Sequence, residues 1–141
     1  MGSTVLMGWL VATCLLLCNL GCDGSAKLEV TPTELNYGTI AGDAHIRLTV
    51  KNAGDSGFFE SDVDLEFTIT ASEDWLRLDP YETLVLPPGD SQSFEVWVDR
   101  GELLQGRNNG WVDITSNGGD ASVMVLVWRD DTPLRNDPVR E

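Results

Sequence analysis

From Leu28 onward, apolar and polar residues alternate in short runs. His45–Asn52 (HIRLTVKN) sets Ile46, Leu48 and Val50 on one face and His45, Arg47, Thr49 and Lys51 on the other. Leu65–Ala71 turns Leu65, Phe67, Ile69 and Ala71 inward. Gln92–Asp99 aligns Phe94, Val96 and Val98, and Gly110–Ser116 aligns Val112 and Ile114. Ser122–Trp128 carries Val123, Val125 and Val127 on its inner face. A period of two is the signature of a strand buried on one side. Shorter runs at Leu28–Val30, Leu35–Tyr37, Trp75–Asp79 and Glu82–Leu86 belong to the same series. Turn residues separate them, most clearly Pro87-Pro88-Gly89-Asp90 and Asn117-Gly118-Gly119-Asp120. Proline has no N–H for a ladder, so Thr31-Pro32-Thr33 predicts one edge strand broken in two. No helical periodicity follows the leader. The pattern predicts an all-β, immunoglobulin-like sandwich of seven to eight strands over residues 28–128. Residues 129–141, charged and with two prolines, predict a flexible tail.

The first 22 residues contain no Asp, Glu, Lys, Arg or His. Val5–Leu17 has the length of a signal-peptide apolar region and is short for a membrane span. Gly21-Cys22 then places a small residue directly before a cysteine. This resembles the lipobox of bacterial lipoproteins, in which the cysteine is acylated and becomes the mature N-terminus. The resemblance implies a signal peptide over 1–21, lipidation at Cys22 and a tether over 22–27. Burial of acyl chains stabilises such an anchor by about 0.8 kcal/mol per CH₂. Asn19 departs from the usual Leu, and no Lys or Arg precedes the apolar run. An uncleaved N-terminal membrane anchor is the alternative, because Met1–Leu20 is long enough to span. Both readings place the domain in the cell envelope, outside the cytoplasm and anchored to a membrane. Asp23–Lys27 reaches at most ~18 Å when extended, which keeps the domain close to the bilayer. Asp23 itself resembles the inner-membrane retention signal of some lipoproteins.

Charge narrows the partners. The chain has 23 acidic and 9 basic residues and a net charge of −14, all of it after the leader. Phosphate contacts need Lys and Arg, so nucleic acid is excluded as a partner. Anionic headgroups would repel the domain, which leaves the N-terminus as its membrane contact. The three cysteines, Cys14, Cys18 and Cys22, all lie in the leader segment, so the domain has no internal disulfide and depends on its core.

Catalytic chemistry finds few candidates. His45 is the one histidine, and its parity points it to solvent. The domain has no cysteine and no Gly-x-Ser-x-Gly elbow, so the reading is that it is not an enzyme and has no catalytic residues. The loop Gly54–Asp64 gathers Asp55, Glu60, Asp62 and Asp64 around Phe58-Phe59. Those oxygens could serve Ca²⁺, although the spacing is not that of an EF-hand. No other cofactor is indicated.

Several segments together resemble the bacterial BACON modules, a family of immunoglobulin-like sandwiches found in surface and secreted proteins. The matching pieces are Val30-Thr31-Pro32 with Leu35-x-Tyr37-Gly38, then Thr49-Val50-x-Asn52-x-Gly54, Trp75-Leu76-x-Leu78-x-Pro80, Pro88-Gly89, and Val112-x-Ile114-Thr115-Ser116-Asn117-Gly118-Gly119. They span residues 28–128. The resemblance implies a sandwich with a carbohydrate-binding or spacer role, and it brings no set of binding residues with it. The function expected is a membrane-tethered, non-catalytic binding module for a glycan or an envelope protein. The alternative is a structural spacer or protein-interaction subunit of an envelope assembly.

Parity also suggests where a ligand would sit. With Val112 and Ile114 inward, Trp111 points out. With Val123, Val125 and Val127 inward, Met124, Leu126 and Trp128 point out from the neighbouring strand. Two tryptophans and two large aliphatics on one outer face form a candidate binding patch. Trp97 should stand apart on the opposite sheet, and Trp75 should plug one end of the core. An immunoglobulin-like connectivity puts the tether at the pole of the Gly54–Asp64 and Asn117–Asp120 loops, with the tail at the other pole.

Overall fold

A computed structural model of the chain describes residues 24–55, 63–79 and 83–132. The alternating runs form nine strands among these residues: β1 (Leu28–Thr31), β2 (Glu34–Ile40), β3 (Ala44–Asn52), β4 (Leu65–Ala71), β5 (Leu76–Asp79), β6 (Leu84–Leu86), β7 (Ser91–Val98), β8 (Gly106–Ser116) and β9 (Ala121–Arg129). A single 3-10 turn, Arg100–Glu102, joins β7 to β8. The strands make two sheets, ordered β1-β3-β7-β5 and β2-β9-β8-β4-β6. This is the all-β, immunoglobulin-like sandwich that the alternation predicts.

The inward faces meet as expected for stacked sheets. Leu48, Val50, Phe94, Val96 and Val98 from one sheet and Leu35, Leu65, Val112, Val125 and Val127 from the other are fully buried. Phe67 and Phe94 cross between the sheets edge to face, with ring centroids 5.9 Å apart and planes at 84°. That geometry sets the positive edge of one ring against the negative face of the other.

The break at Pro32 does more than interrupt a strand. β1 pairs antiparallel with β3, whereas β2 pairs parallel with β9 in the other sheet. The expected broken strand is therefore two edge strands on different sheets. β2 also carries a bulge between Asn36 and Gly38. Beside it, the Tyr37 hydroxyl donates to the Val96 carbonyl across the sandwich. Burial holds the Tyr37 phenol above its usual pKa; a backbone hydrogen bond at Ile46 opposes this, and the Glu95 charge adds to it.

One buried amide ties together the pole at which β1 begins. Asn52 is fully buried, at the inward end of β3. Its Oδ1 accepts from the Lys27 N–H at 3.2 Å and the Gly54 N–H at 3.0 Å. Its Nδ2 donates to the carbonyls of Val63 at 3.1 Å and Leu86 at 3.0 Å. All four of its hydrogen-bonding sites are used, as a buried amide requires. Gly54 is needed beside it, because a Cβ there would lie 2.2 Å from the Ser25 carbonyl oxygen. Ala53 N–H donates to the Lys27 carbonyl, and Leu28 N–H donates to the Gly118 carbonyl. The segment entering β1 is thus fixed at the pole of the Asn117–Asp120 turn.

The other pole holds the end of β9. Arg100 Nε donates to the Ile40 carbonyl at 3.2 Å, and its Nη2 pairs with the Asp131 carboxylate. Arg129 Nη1 donates to the Leu103 carbonyl at 2.7 Å. Arg129 Nε lies 2.7 Å from Asp131 Oδ2; its N–H is misaligned, so the contact is ionic and not hydrogen-bonded. Two arginines therefore hold the chain just past β9. Asp130, capped by the Thr132 hydroxyl and N–H, has its pKa lowered by those hydrogen bonds. The segment entering β1 and the exit of β9 lie at opposite poles, as the connectivity predicts. Trp75 is 7% exposed and closes the core at this second end.

Candidate functional site

The outer face of the five-stranded sheet carries the candidate patch. β8 and β9 are its central neighbours, and their register sets three rows of side chains: Trp111 beside Met124, Asn109 beside Leu126, and Arg107 beside Trp128. Strand pleating sends all six outward, because Val112, Val123, Val125 and Val127 face the core. Trp111 is 44% exposed, the only Phe, Tyr or Trp among the described residues with so open a surface. Met124 and Trp128 are half-buried. The two tryptophans stand four residues apart along the ladder, about 13 Å.

Hydrogen bonds fix the backbone beneath the patch. Trp111 N–H donates to Ser72 Oγ at 2.9 Å, and Ser72 N–H donates to the Trp111 carbonyl at 2.9 Å. This pair extends the β4–β8 ladder past Ala71↔Val112, its last register pair. Arg107 places its guanidinium carbon 5.5 Å from the Trp128 ring centroid, a cation–π contact. Its Nε also donates to Asn109 Oδ1 at 3.1 Å. At the far end of the same ladder, Ser122 Oγ donates to Asp113 Oδ1 at 2.5 Å.

One expected member is corrected. Leu126 lies on the outer side but is only 8% exposed. It sits in register between Asn36 of β2 and Asn109 of β8, with Met124 and Trp128 two residues away on its own strand. These neighbours cover it, so it forms the floor of the patch and offers almost no surface. Arg107, Asn109 and Asn36 are the members that the sequence reading missed.

The opposite sheet keeps Trp97 apart, as its parity requires. Its ring packs on His45 with centroids 4.2 Å apart. His45 Nε2 is 3.6 Å from Glu95 Oε2, and Arg47 donates to Glu95 Oε1 at 3.1 Å. The histidine is thus engaged with a carboxylate and an indole on an exposed surface, with no nucleophile among these contacts. Of the acidic loop, Asp55 and Asp64 are exposed, while Glu60 and Asp62 lie outside the described residues, as does Cys22. Among the described residues no three His, Cys, Asp or Glu side chains converge on a metal-sized site. None of their helices is long and apolar enough to cross a membrane.

No protein-family model matches the chain, and no curated protein matches it. Solved structures do. A protein of unknown function from Porphyromonas gingivalis W83 aligns with a TM-score of 0.60 at 20% identity, over 79% of this chain and 50% of its own. The ASH/PapD-like domain 7 of human CEP192 aligns with a TM-score of 0.60 at 10% identity, over 92% of this chain and 96% of its own. The periplasmic chaperone SfaE aligns with a TM-score of 0.56 at 11% identity, covering 73% and 58%. This chain spans half the length of the P. gingivalis protein and 58% of the chaperone's. At such identities the likeness establishes the fold alone, an immunoglobulin-like β-sandwich.

Proposed function

We propose that this protein is a membrane-tethered, extracytoplasmic and non-catalytic interaction module whose working surface is the outer face of the five-stranded sheet. The observation that carries this reading is Trp111. A 44% exposed indole beside Met124, on a backbone that Ser72 ties to β4, is apolar area that a partner can cover, and an indole has few side-chain torsions to lose. The fold shared with a periplasmic chaperone and with a PapD-like domain supports a protein as that partner. The uncharged leader ending in Gly21-Cys22 supports the tether, and mass spectrometry of the mature protein tests it. An acylated Cys22 at the N-terminus is expected; an intact Met1 with unmodified Cys22 contradicts lipidation and leaves the uncleaved anchor.

A glycan ligand is the second reading. The flat, open Trp111 ring suits the C–H face of a sugar, and the BACON-like motifs support the same class. A photo-crosslinking side chain at position 111 of the membrane-bound protein tests the surface. Protein adducts from 111 and none from Ser93, on the other sheet, support a protein partner. Retention on a glycan array that is lost on Trp111→Ala would support the sugar.

A further inference from the structure

We propose that the outer face of the five-stranded sheet receives an extended acidic segment of a partner protein, with a carboxylate on Arg107 and an apolar side chain on Trp111; the proposal rests on the reading that this face is the working surface. The chain carries 23 acidic residues, yet among the described residues no carboxylate ion-pairs with Arg107. Asp131, at the same pole, is already taken by Arg100 and Arg129. The Arg107 guanidinium is nonetheless oriented: its carbon lies 5.5 Å from the Trp128 ring centroid, and its Nε donates to Asn109 Oδ1 at 3.1 Å. With Nε spent on the protein, the two Nη groups of the fork remain for a ligand. A planar fork oriented in advance loses little on meeting a carboxylate.

The neighbouring amides present donors as well. An N–H can only donate, so the bond from Arg107 Nε fixes which end of the Asn109 amide is the oxygen and leaves its Nδ2 group over. Asn36 is fixed in the same way, because its Oδ1 accepts from the Gly38 N–H at 3.0 Å. Asn36, Leu126 and Asn109 share one row across β2, β9 and β8, so the two amides flank the apolar Leu126 floor from strands about 10 Å apart. Both asparagines and Arg107 are exposed, and neither the Nδ2 nor the Nη groups donate to another described residue. The face thus offers donors and spends its acceptors on itself. A sugar hydroxyl is donor and acceptor at once and needs an acceptor that this row does not offer. A carboxylate and the carbonyls of an extended backbone are acceptors only, and they match.

Spacing and charge give the site a direction. Arg107 and Trp111 are four residues apart on β8, about 13 Å, which is the separation of side chains i and i+4 on one face of an extended segment laid along the strand. Asn109 sits midway, where the carbonyls of that segment would pass. Glu34 is in register with Met124, and the Glu73 carboxylate accepts from Ser72 Oγ at 3.4 Å, the same hydroxyl that accepts from the Trp111 N–H. Two carboxylates therefore stand at the Trp111 end, where an apolar side chain is tolerated and an acid is not. The net charge of −14 repels a strongly acidic partner, but screening beyond about 8 Å at physiological salt leaves the contact of one carboxylate with Arg107 in place. A single acid is favoured over a run of them. Tryptophan and arginine are also the residue types that anchor protein interfaces.

The full chain in its membrane is offered an array of peptides of about ten residues, each with a leucine and, four positions away in either direction, Glu, Gln or Lys, among serines and threonines. Retention on the Glu peptides about tenfold above the Gln and Lys peptides is expected. Arg107→Glu should turn the preference to Lys, and Trp111→Ala should remove retention on every peptide. Both residues are exposed, so an unchanged melting temperature shows that neither effect is unfolding. Equal retention on the three classes, retention on none, or a Glu preference that survives Arg107→Glu overturns the proposal. Binding of an oligouronate that is lost in Arg107→Glu, with no peptide retained, assigns the carboxylate to an acidic glycan and overturns it as well. If the peptides fail while photo-crosslinking from position 111 still yields protein adducts, the surface stands and the acidic segment falls. If both fail, the reading of the surface falls too.

Discussion

Asn52→Ala removes the amide that joins four segments. The Lys27 and Gly54 N–H groups lose their acceptor, and the Val63 and Leu86 carbonyls lose their donor. The bond to Leu86 is fully buried, and a buried acceptor left unsatisfied costs about 1–3 kcal/mol. The other three are part-buried, and each contributes about 1 kcal/mol. The loss should therefore be roughly 4–6 kcal/mol, a large share of the ~5–15 kcal/mol that holds an ordinary domain. Urea unfolding of the leaderless chain, followed by tryptophan fluorescence, measures it as a lower midpoint at unchanged slope. Asn52→Asp separates hydrogen bonding from shape. It keeps the acceptor for Lys27 and Gly54 but turns a carboxylate toward two carbonyls. That desolvated carboxyl should have a raised folded pKa. Its destabilisation is then full at neutral pH and eases as acidification protonates it. A loss below about 1 kcal/mol for Asn52→Ala would refute the claim that this amide organises the pole.

Gly110→Ala would place a Cβ 2.9 Å from Leu76 Cδ1 and 3.0 Å from the Trp75 ring, so a loss of about 1–3 kcal/mol is expected in the same assay. A neutral result would mean that Trp75 is not packed against β8. Tyr37→Phe should cost about 1 kcal/mol at neutral pH and flatten the alkaline side of the stability profile. The folded phenol pKa is raised, so the unfolded chain ionises first, and the stability due to Tyr37 is complete below its ordinary pKa of 10.0 and lost as pH rises beyond it. Equal alkaline slopes for the two proteins would contradict the burial of that hydroxyl.

Strand parity was legible wherever the inward positions are apolar, as in β3 and β4. It failed where they are polar. Asn108 faces inward at 7% exposure, with its amide satisfied by the Leu104 N–H and carbonyl and by the Gly106 carbonyl. Arg107-Asn108-Asn109 therefore shows no apolar alternation, and β8 starts four residues before the run that the sequence marks. The same gap concealed Arg107 and Asn109, two members of the outer face. Asn52 is inward for the same reason. Pro32 marks a break, but local sequence cannot distinguish a kinked strand from one that changes sheets; pairing with β9, far along the chain, decides that. Trp111, Met124 and Trp128 follow from parity alone. The burial of Leu126 does not, because it depends on β2 lying beside β9.

The central claim is that the outer face around Trp111 meets a partner. Photo-crosslinking from position 111 of the membrane-bound protein, read by mass against the same probe at Ser93, tests it most directly. Discrete protein adducts are expected from position 111 and none from position 93. A position 111 that yields no adduct, or the same adducts as position 93, would contradict it.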